Sequence, residues 1–188
     1  MSIEVERKRH LPDGPARVVS RLEELGYKAS GPATETDTYF SRPDVDYLAT
    51  VECLRVRQRG EFAEITYKPA SNGRTHGEDD IIAKRETNVP LSGGEAAKDA
   101  LALLSAVGMV ELVTVRKSRT DYRSPGRGGV TVALDEVQGL GWYVETEVTD
   151  PDPDAAAGEL QATEEALGLA RFPVISRSYR DLLLAGPA

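Results

Sequence analysis

The chain has 188 residues, 40% of them hydrophobic and 29% charged, with a net charge of −8; this length carries a substantial core in one domain, so residues 1–188 are expected to form a single unit. The acidic balance argues against a nucleic-acid coat or an anionic membrane surface, both of which need a dominant basic patch. No apolar run approaches the ~20 residues of a membrane span, and the start MSIEVERKRHL carries charge where an export signal needs an apolar stretch. The expectation is therefore a cytoplasmic protein with no nucleic-acid or membrane partner, monomeric or homodimeric.

Residues 2–9 alternate as a strand, with Ile3 and Val5 on one face and Glu4, Glu6 and Lys8 on the other. A helix is expected from Pro15 to Leu25, with Asp13 near its start, Val18, Val19, Leu22 and Leu25 as its stripe and Gly26 as its stop. Strands follow at 36–40, 51–59 and 62–68, the last two a hairpin through Gly60, and PASNGRTHGEDD (69–80) reads as a loop. A strand at 81–89 leads to a helix opened by a Ser92/Glu95 capping box and stopped at Gly108. Further strands are expected at 110–122, 130–137 and 142–149, with SPGRGG as a turn. A helix from Asp154 to Leu167 ends at Gly168, and SRSYRDLLLA closes the chain as a short helix.

Charged residues two apart recur along these strands: Glu4/Glu6/Lys8, Arg55/Arg57, Lys68, Lys84/Glu86, Lys117/Arg119, Asp135 and Glu145/Glu147. Spacing of two keeps each pair on one face. The opposite faces carry Val5, Leu54, Val56, Ile65, Val130, Val132, Leu134, Val144 and Val148. Alternation alone admits two arrangements. One is an open sheet with a solvated charged face; the other is a closed barrel that turns its charges inward and covers its apolar outside with the helices.

The inward arrangement has a definite chemistry. Several Lys and Arg match the charge of a polyphosphate, and arginine can grip two phosphate oxygens at once. Clustered carboxylates suit a hard cation such as Mg²⁺, which takes oxygen ligands from one or two carboxylates plus substrate phosphates. His10 and His76 have no helical partner for a zinc site, and Cys53 reads as a small packing residue. SPGRGG lacks the strand-to-helix context and Lys-Ser/Thr ending of a phosphate-binding loop.

Glu4-Val5-Glu6-Arg7-Lys8 is an E-x-E-x-K motif, followed in order by DTYF, LRVR, TYK, VRKSR, LDEVQGLGWYVETEV and SYRDLL. Together these resemble the CYTH or triphosphate tunnel metalloenzyme superfamily across nearly the whole chain, with the spacing of LDEV, GLG and ETE most similar to the class IV adenylyl cyclase-like branch. The resemblance implies an α+β fold built on an eight-stranded antiparallel closed β-barrel with helices packed outside. It further implies that Lys8, Arg55, Arg57, Lys68, Lys84, Lys117 and Arg119 hold the triphosphate of ATP, tripolyphosphate or thiamine triphosphate, with Tyr179 covering one mouth. Glu4, Glu6, Glu86, Asp135, Glu145 and Glu147 would carry Mg²⁺ or Mn²⁺, and Glu4, Glu6 and Lys8 would be catalytic. The segment Ala83-Lys84-Arg85-Glu86-Thr87-Asn88 departs from the pattern, because Asn88 stands where an acid is usual, and Pro69 replaces the glycine that usually follows TYK. Cyclisation of ATP to cyclic AMP and pyrophosphate, hydrolysis of a triphosphate, and non-catalytic binding of a phosphorylated ligand remain the three readings.

Overall fold

In the computed structural model, residues 3–70, 82–84, 86–93, 95–126 and 128–186 are described, apart from the side chains of residues 3 and 82–84. Strands β1 (Ile3–His10), β2 (Lys28–Ala29), β3 (Ala33–Ser41), β4 (Cys53–Arg59) and β5 (Phe62–Lys68) come first, with helix α1 (Ala16–Glu24) after β1. Then follow β6 (Ile82–Lys84), β7 (Thr87–Ser92), α2 (Glu95–Ala106), β8 (Val110–Arg123), β9 (Val130–Val137), β10 (Gly141–Asp150), α3 (Pro153–Leu167) and α4 (Tyr179–Ala185).

The strands form one antiparallel sheet in the order β6-β1-β10-β9-β8-β3-β4-β5-β7, with β2 paired to β8. It curls into an open half-barrel, which corrects the expectation of a closed eight-stranded barrel. The cause is the stretch expected as one strand at 81–89. It is divided between β6 and β7, so that β6 adds to β1 at one edge while β7 adds to β5 at the other. Both edges belong to one run of chain, and among the described residues no ladder joins them. The curl still brings the edges near each other, since Lys68 at the end of β5 lies 3.5 Å from Glu4 on β1.

The convex face is apolar and is covered by helices. Val5, Val130 and Val148 pack against Ala156 and Leu160 of α3. Val132, Leu134 and Val144 meet Val18 and Leu22 of α1 and Leu167 of α3, while Phe40, Val56 and Ala63 meet Ala97 and Ala100 of α2. Arg7 and Arg9 also point to this side, where both reach the buried Glu164 of α3 at 2.8 Å. They clamp α3 onto β1 and leave the alternate residues Glu4, Glu6 and Lys8 for the concave face.

Helix ends differ in how well local signals locate them. Asp152 caps α3 by accepting from the backbone N–H of Asp154 and Ala155, and Gly168 ends it in the left-handed region. Asp13, by contrast, does not cap α1, whose N-cap is Pro15 without a side-chain bond. The Ser92/Glu95 box also fails, because Ser92 still belongs to β7 and the helix begins at Glu95, which pairs with Lys98 instead. The strand expected at 36–40 extends over 33–41, and no helix among the described residues is long and apolar enough to cross a membrane.

Leu160 is fully buried between α3 and the β1/β10 pair. Leu160→Ala should lower unfolding stability by about 2–5 kcal/mol through the cavity it leaves, measured by denaturant titration.

Candidate active site

The concave face holds a cavity of about 350 Å³, within the size range of small-molecule sites. Its lining brings together Glu4, Glu6 and Lys8 from β1, Arg55 and Arg57 from β4, Lys68 from β5, and Glu86. Lys117 and Arg119 from β8, Glu145 and Glu147 from β10, and Tyr179 from α4 complete the set. Two candidates stand elsewhere. Asp135 is fully buried behind the lining. Lys84 pairs with Glu4 through the backbone, but its side chain, like all of His76, falls outside the described residues.

Strand register sets the charge pattern. Lys8 lies opposite Glu145, with the groups 4.0 Å apart, whereas Glu6 lies directly opposite Glu147. Like charges on one rung destabilise a sheet unless a cation intervenes. Glu4, nearby, has Lys68 at 3.5 Å, but Lys68 also makes a close ion pair with Glu86. Burial, reinforced by Glu147, Glu86 and Glu6 and only partly offset by Lys68, pushes Glu4 from the ordinary 4.5 up to about 8. Burial and Glu6 likewise raise Glu147. At Glu86, burial is opposed by Lys68, Arg55 and the Asn88 hydrogen bond, which together hold the carboxyl low.

The opposite wall is compensated. Asp135 accepts from Arg119 Nε at 2.7 Å and Nη2 at 2.5 Å, from Lys117 at 3.4 Å and from the Tyr179 hydroxyl at 2.9 Å. These bonds make it a residue that positions two cations and a ring. Arg119 also donates to Glu145, and for that carboxyl Arg119, Lys117 and Lys8 overcome burial and keep the group ionised. Lys8 and Lys117 approach the Tyr179 ring to 4.4 and 5.4 Å. That ring packs with Tyr39, Val115, Val137 and Tyr143 in an apolar cluster, of which Tyr39 and Tyr179 also line the cavity.

Two acids that the sequence pattern does not single out, Glu35 and Asp37, are each 2% exposed on β3. Asp37 receives a two-pronged grip from Arg57, both bonds 2.7 Å, with Arg55 at 3.8 Å. Their signal is the same period of two, Glu35-Asp37-Tyr39, visible once β3 is extended back to Ala33. Asn88 also lines the cavity and donates to Glu86, so the position that breaks the acidic pattern still faces inward. Arg55 Nε is buried without a hydrogen-bond partner among the described residues, a donor left for a ligand.

A divalent hard cation fits this donor set. Glu4, Glu6 and Glu147 supply only oxygen and carry more negative charge than Lys68 offsets, which a cation would relieve. Among the described residues no three carboxylates already stand as a ligand group; one or two of them together with phosphate oxygens is the usual way Mg²⁺ is held.

The CYTH domain family matches residues 2–179, and the chain belongs to that family. A Methanocaldococcus jannaschii protein named "Putative adenylate cyclase MJ0240" is 29% identical over 185 residues, covering 96% of this chain and 98% of the relative. The structure of the Pyrococcus horikoshii protein PH1819 superposes with a TM-score of 0.79 at 27% identity, covering 97% of this chain and 98% of that one. HpAC1 from Hippeastrum, described as having a dominant triphosphatase activity, superposes with a TM-score of 0.70 over 98% of this chain and 95% of that one; at 17% identity this likeness shows the fold.

Glu4 holds its proton to about pH 8 in the folded chain and loses it near 4.5 when unfolded. The folded state therefore binds more protons within that window, and this group's contribution makes stability fall as pH rises through it. Without metal, melting temperature should decline across the window more steeply in the wild type than in Glu4→Gln. Saturating Mg²⁺ or Mn²⁺, which replaces the proton, should stabilise the wild type increasingly toward pH 8, and thermal melts with and without EDTA measure both effects.

Proposed function

We propose that this protein is a divalent-metal-dependent enzyme acting on a triphosphate held in the concave cavity, with class IV adenylyl cyclase-like conversion of ATP to cyclic AMP and pyrophosphate as the first reading. The observation that carries it is the meeting of both charges in one cavity, with an excess of carboxylates on one side. Lys8, Arg55, Arg57, Lys117 and Arg119 converge from three strands, and Glu4, Glu6 and Glu147 lie across from them with unrelieved negative charge. An anion-binding pocket alone has no use for such carboxylates, so a non-catalytic binder ranks last.

In this reading the arginines and Lys8 grip phosphate oxygens, Arg55 with a donor that has no protein partner among the described residues. Tyr179, pinned through its hydroxyl to Asp135, forms part of the cavity wall. Glu4, Glu6 and Glu147, with Glu86 and Glu145 beside them, would hold Mg²⁺ or Mn²⁺, which supplies charge stabilisation and activation of the attacking oxygen. Attack by a ribose hydroxyl on the α-phosphorus gives the cyclase, and attack by water on the terminal phosphorus gives a triphosphatase.

One observation favours the triphosphatase as second reading. The lining is almost wholly charged or polar, and its tyrosines, Tyr39 and Tyr179, are each 6% exposed within the apolar cluster, which leaves little surface on which to stack a base. Inorganic, nucleoside and thiamine triphosphates are its candidate substrates. The activity described for HpAC1 is consistent with it.

Incubation with ATP, tripolyphosphate and thiamine triphosphate, with Mg²⁺, Mn²⁺ or EDTA, separates these readings by product. Cyclic AMP with pyrophosphate identifies the cyclase and orthophosphate the hydrolase, while no product with tight metal-independent binding points to the binder. Glu4→Gln and Glu147→Gln should each reduce turnover at least about a hundredfold with the fold retained, the scale of losing a metal-site carboxylate; wild-type rates would remove them from the site. Lys8→Ala should weaken tripolyphosphate binding about tenfold, the scale of one charge-assisted hydrogen bond, while metal binding persists, as calorimetry would measure.

A further inference from the structure

Beyond the cavity lining, toward the Ala33 end of β3, a second layer of charge continues the period of two. Glu35 stands on the rung between Arg59 of β4 and Lys117 of β8. Its Oε1 is 3.4 Å from Arg59, and its Oε2 is 3.2 Å from Lys117 and 3.5 Å from Arg57. Arg59 in turn reaches Asp121 at 3.4 Å. Glu35 is 2% exposed, and its Oε2 makes no hydrogen bond among the described residues. The donors around it are committed elsewhere, with Arg57 turned fully to Asp37 and Lys117 bonded to Asp135. Burial opposes its charge, yet Lys117, Arg57 and Arg119 outweigh burial and hold the carboxyl below its ordinary value. Glu35 is thus a buried counter-charge with incomplete hydrogen bonding, placed where cations would otherwise extend the anion-binding wall.

Resting on the polyphosphate reading above, we propose that Glu35 is a specificity-determining residue that caps the phosphate wall. By occupying Arg59 and the inner faces of Arg57 and Lys117 with fixed negative charge, it denies them to a further phosphate and limits the bound anion to a triphosphate. A longer chain pushed toward this end meets a carboxylate in a dry environment, where the approach of like charges is strongly unfavourable. Replacing that carboxylate by an amide of the same shape removes the negative charge beside Arg57 and Lys117, which keep Asp37 and Asp135, and leaves Arg59 with Asp121 as its remaining carboxylate.

The test compares binding of inorganic tripolyphosphate and tetrapolyphosphate by calorimetry, in EDTA so that metal sites do not contribute, for the wild type and Glu35→Gln. The wild type should bind the tetraphosphate no more tightly than the triphosphate. Glu35→Gln should shift the ratio of the two affinities toward the tetraphosphate by about tenfold or more, the effect of one additional charge-assisted hydrogen bond. Asp121→Asn, which removes the second carboxylate at Arg59 and leaves Glu35 in place, should move the ratio the same way by less, and it serves if Glu35→Gln does not fold. An unchanged ratio in a folded variant overturns the cap alone, whereas a wild type that binds neither polyphosphate, in EDTA or with Mg²⁺ added, overturns the substrate reading and the cap with it.

Discussion

Charges of both signs are buried on the concave face of a curled sheet, and the rest of the molecule is arranged so that few of them lack a partner. An uncompensated buried ion costs several kcal/mol, so cations and carboxylates are interleaved by strand register: Lys8 faces Glu145, Arg57 faces Asp37, and Arg119 faces Asp135. Compensation fails on one wall, where Glu4, Glu6 and Glu147 crowd together with Lys68 largely engaged by Glu86. That asymmetry is the chemical content of the cavity. On the proposed reading, a polyphosphate arriving with a divalent cation would add charge of both signs, so that the existing pairs could exchange partners without a large net charge being buried.

The convex face supplies the apolar packing that offsets this concave chemistry. Valines and leucines on the outer side of β1, β9 and β10 are sealed by α1 and α3, and those of β4 and β5 by α2. Arg7 and Arg9, charged residues on the wrong side for the cavity, are absorbed by Glu164, with Gln161 and the Phe172 carbonyl completing their bonds. The clamp holds β1 in one register, and a slip by a single residue would exchange Glu4, Glu6 and Lys8 for Val5, Arg7 and Arg9. Positioning of the site therefore depends on contacts on the opposite face of the same strand.

Much of the site was legible because an alternation of two is a direct consequence of strand geometry and needs no knowledge of neighbours. Glu4, Glu6, Lys8, Arg55, Arg57, Lys117, Arg119, Glu145 and Glu147 share a cavity because each pair lies on one face of its own strand. Glu35 and Asp37 were harder to read, since the threonines between them make TETDTYF look like an exposed polar segment until its pairing with β4 and β8 is known. For Asp135 the resemblance implies a metal role, while the partners that surround it, Arg119, Lys117 and Tyr179, follow from the depth at which it sits. Burial depth depends on how the sheet curls, which no local pattern encodes.

By itself the sequence determined most of the strands, the faces their charges occupy and the family resemblance, because these follow from local periodicity and ordered motifs. Only the tertiary structure decided that the sheet stays an open half-barrel, since that depends on β6 and β7 joining opposite edges. It likewise decided which carboxylates are neutralised and which are not. Ion pairing is a property of distances between strands far apart in the chain, as between Lys68 and Glu4 or Lys117 and Glu35, and those distances exist only once the sheet has curled.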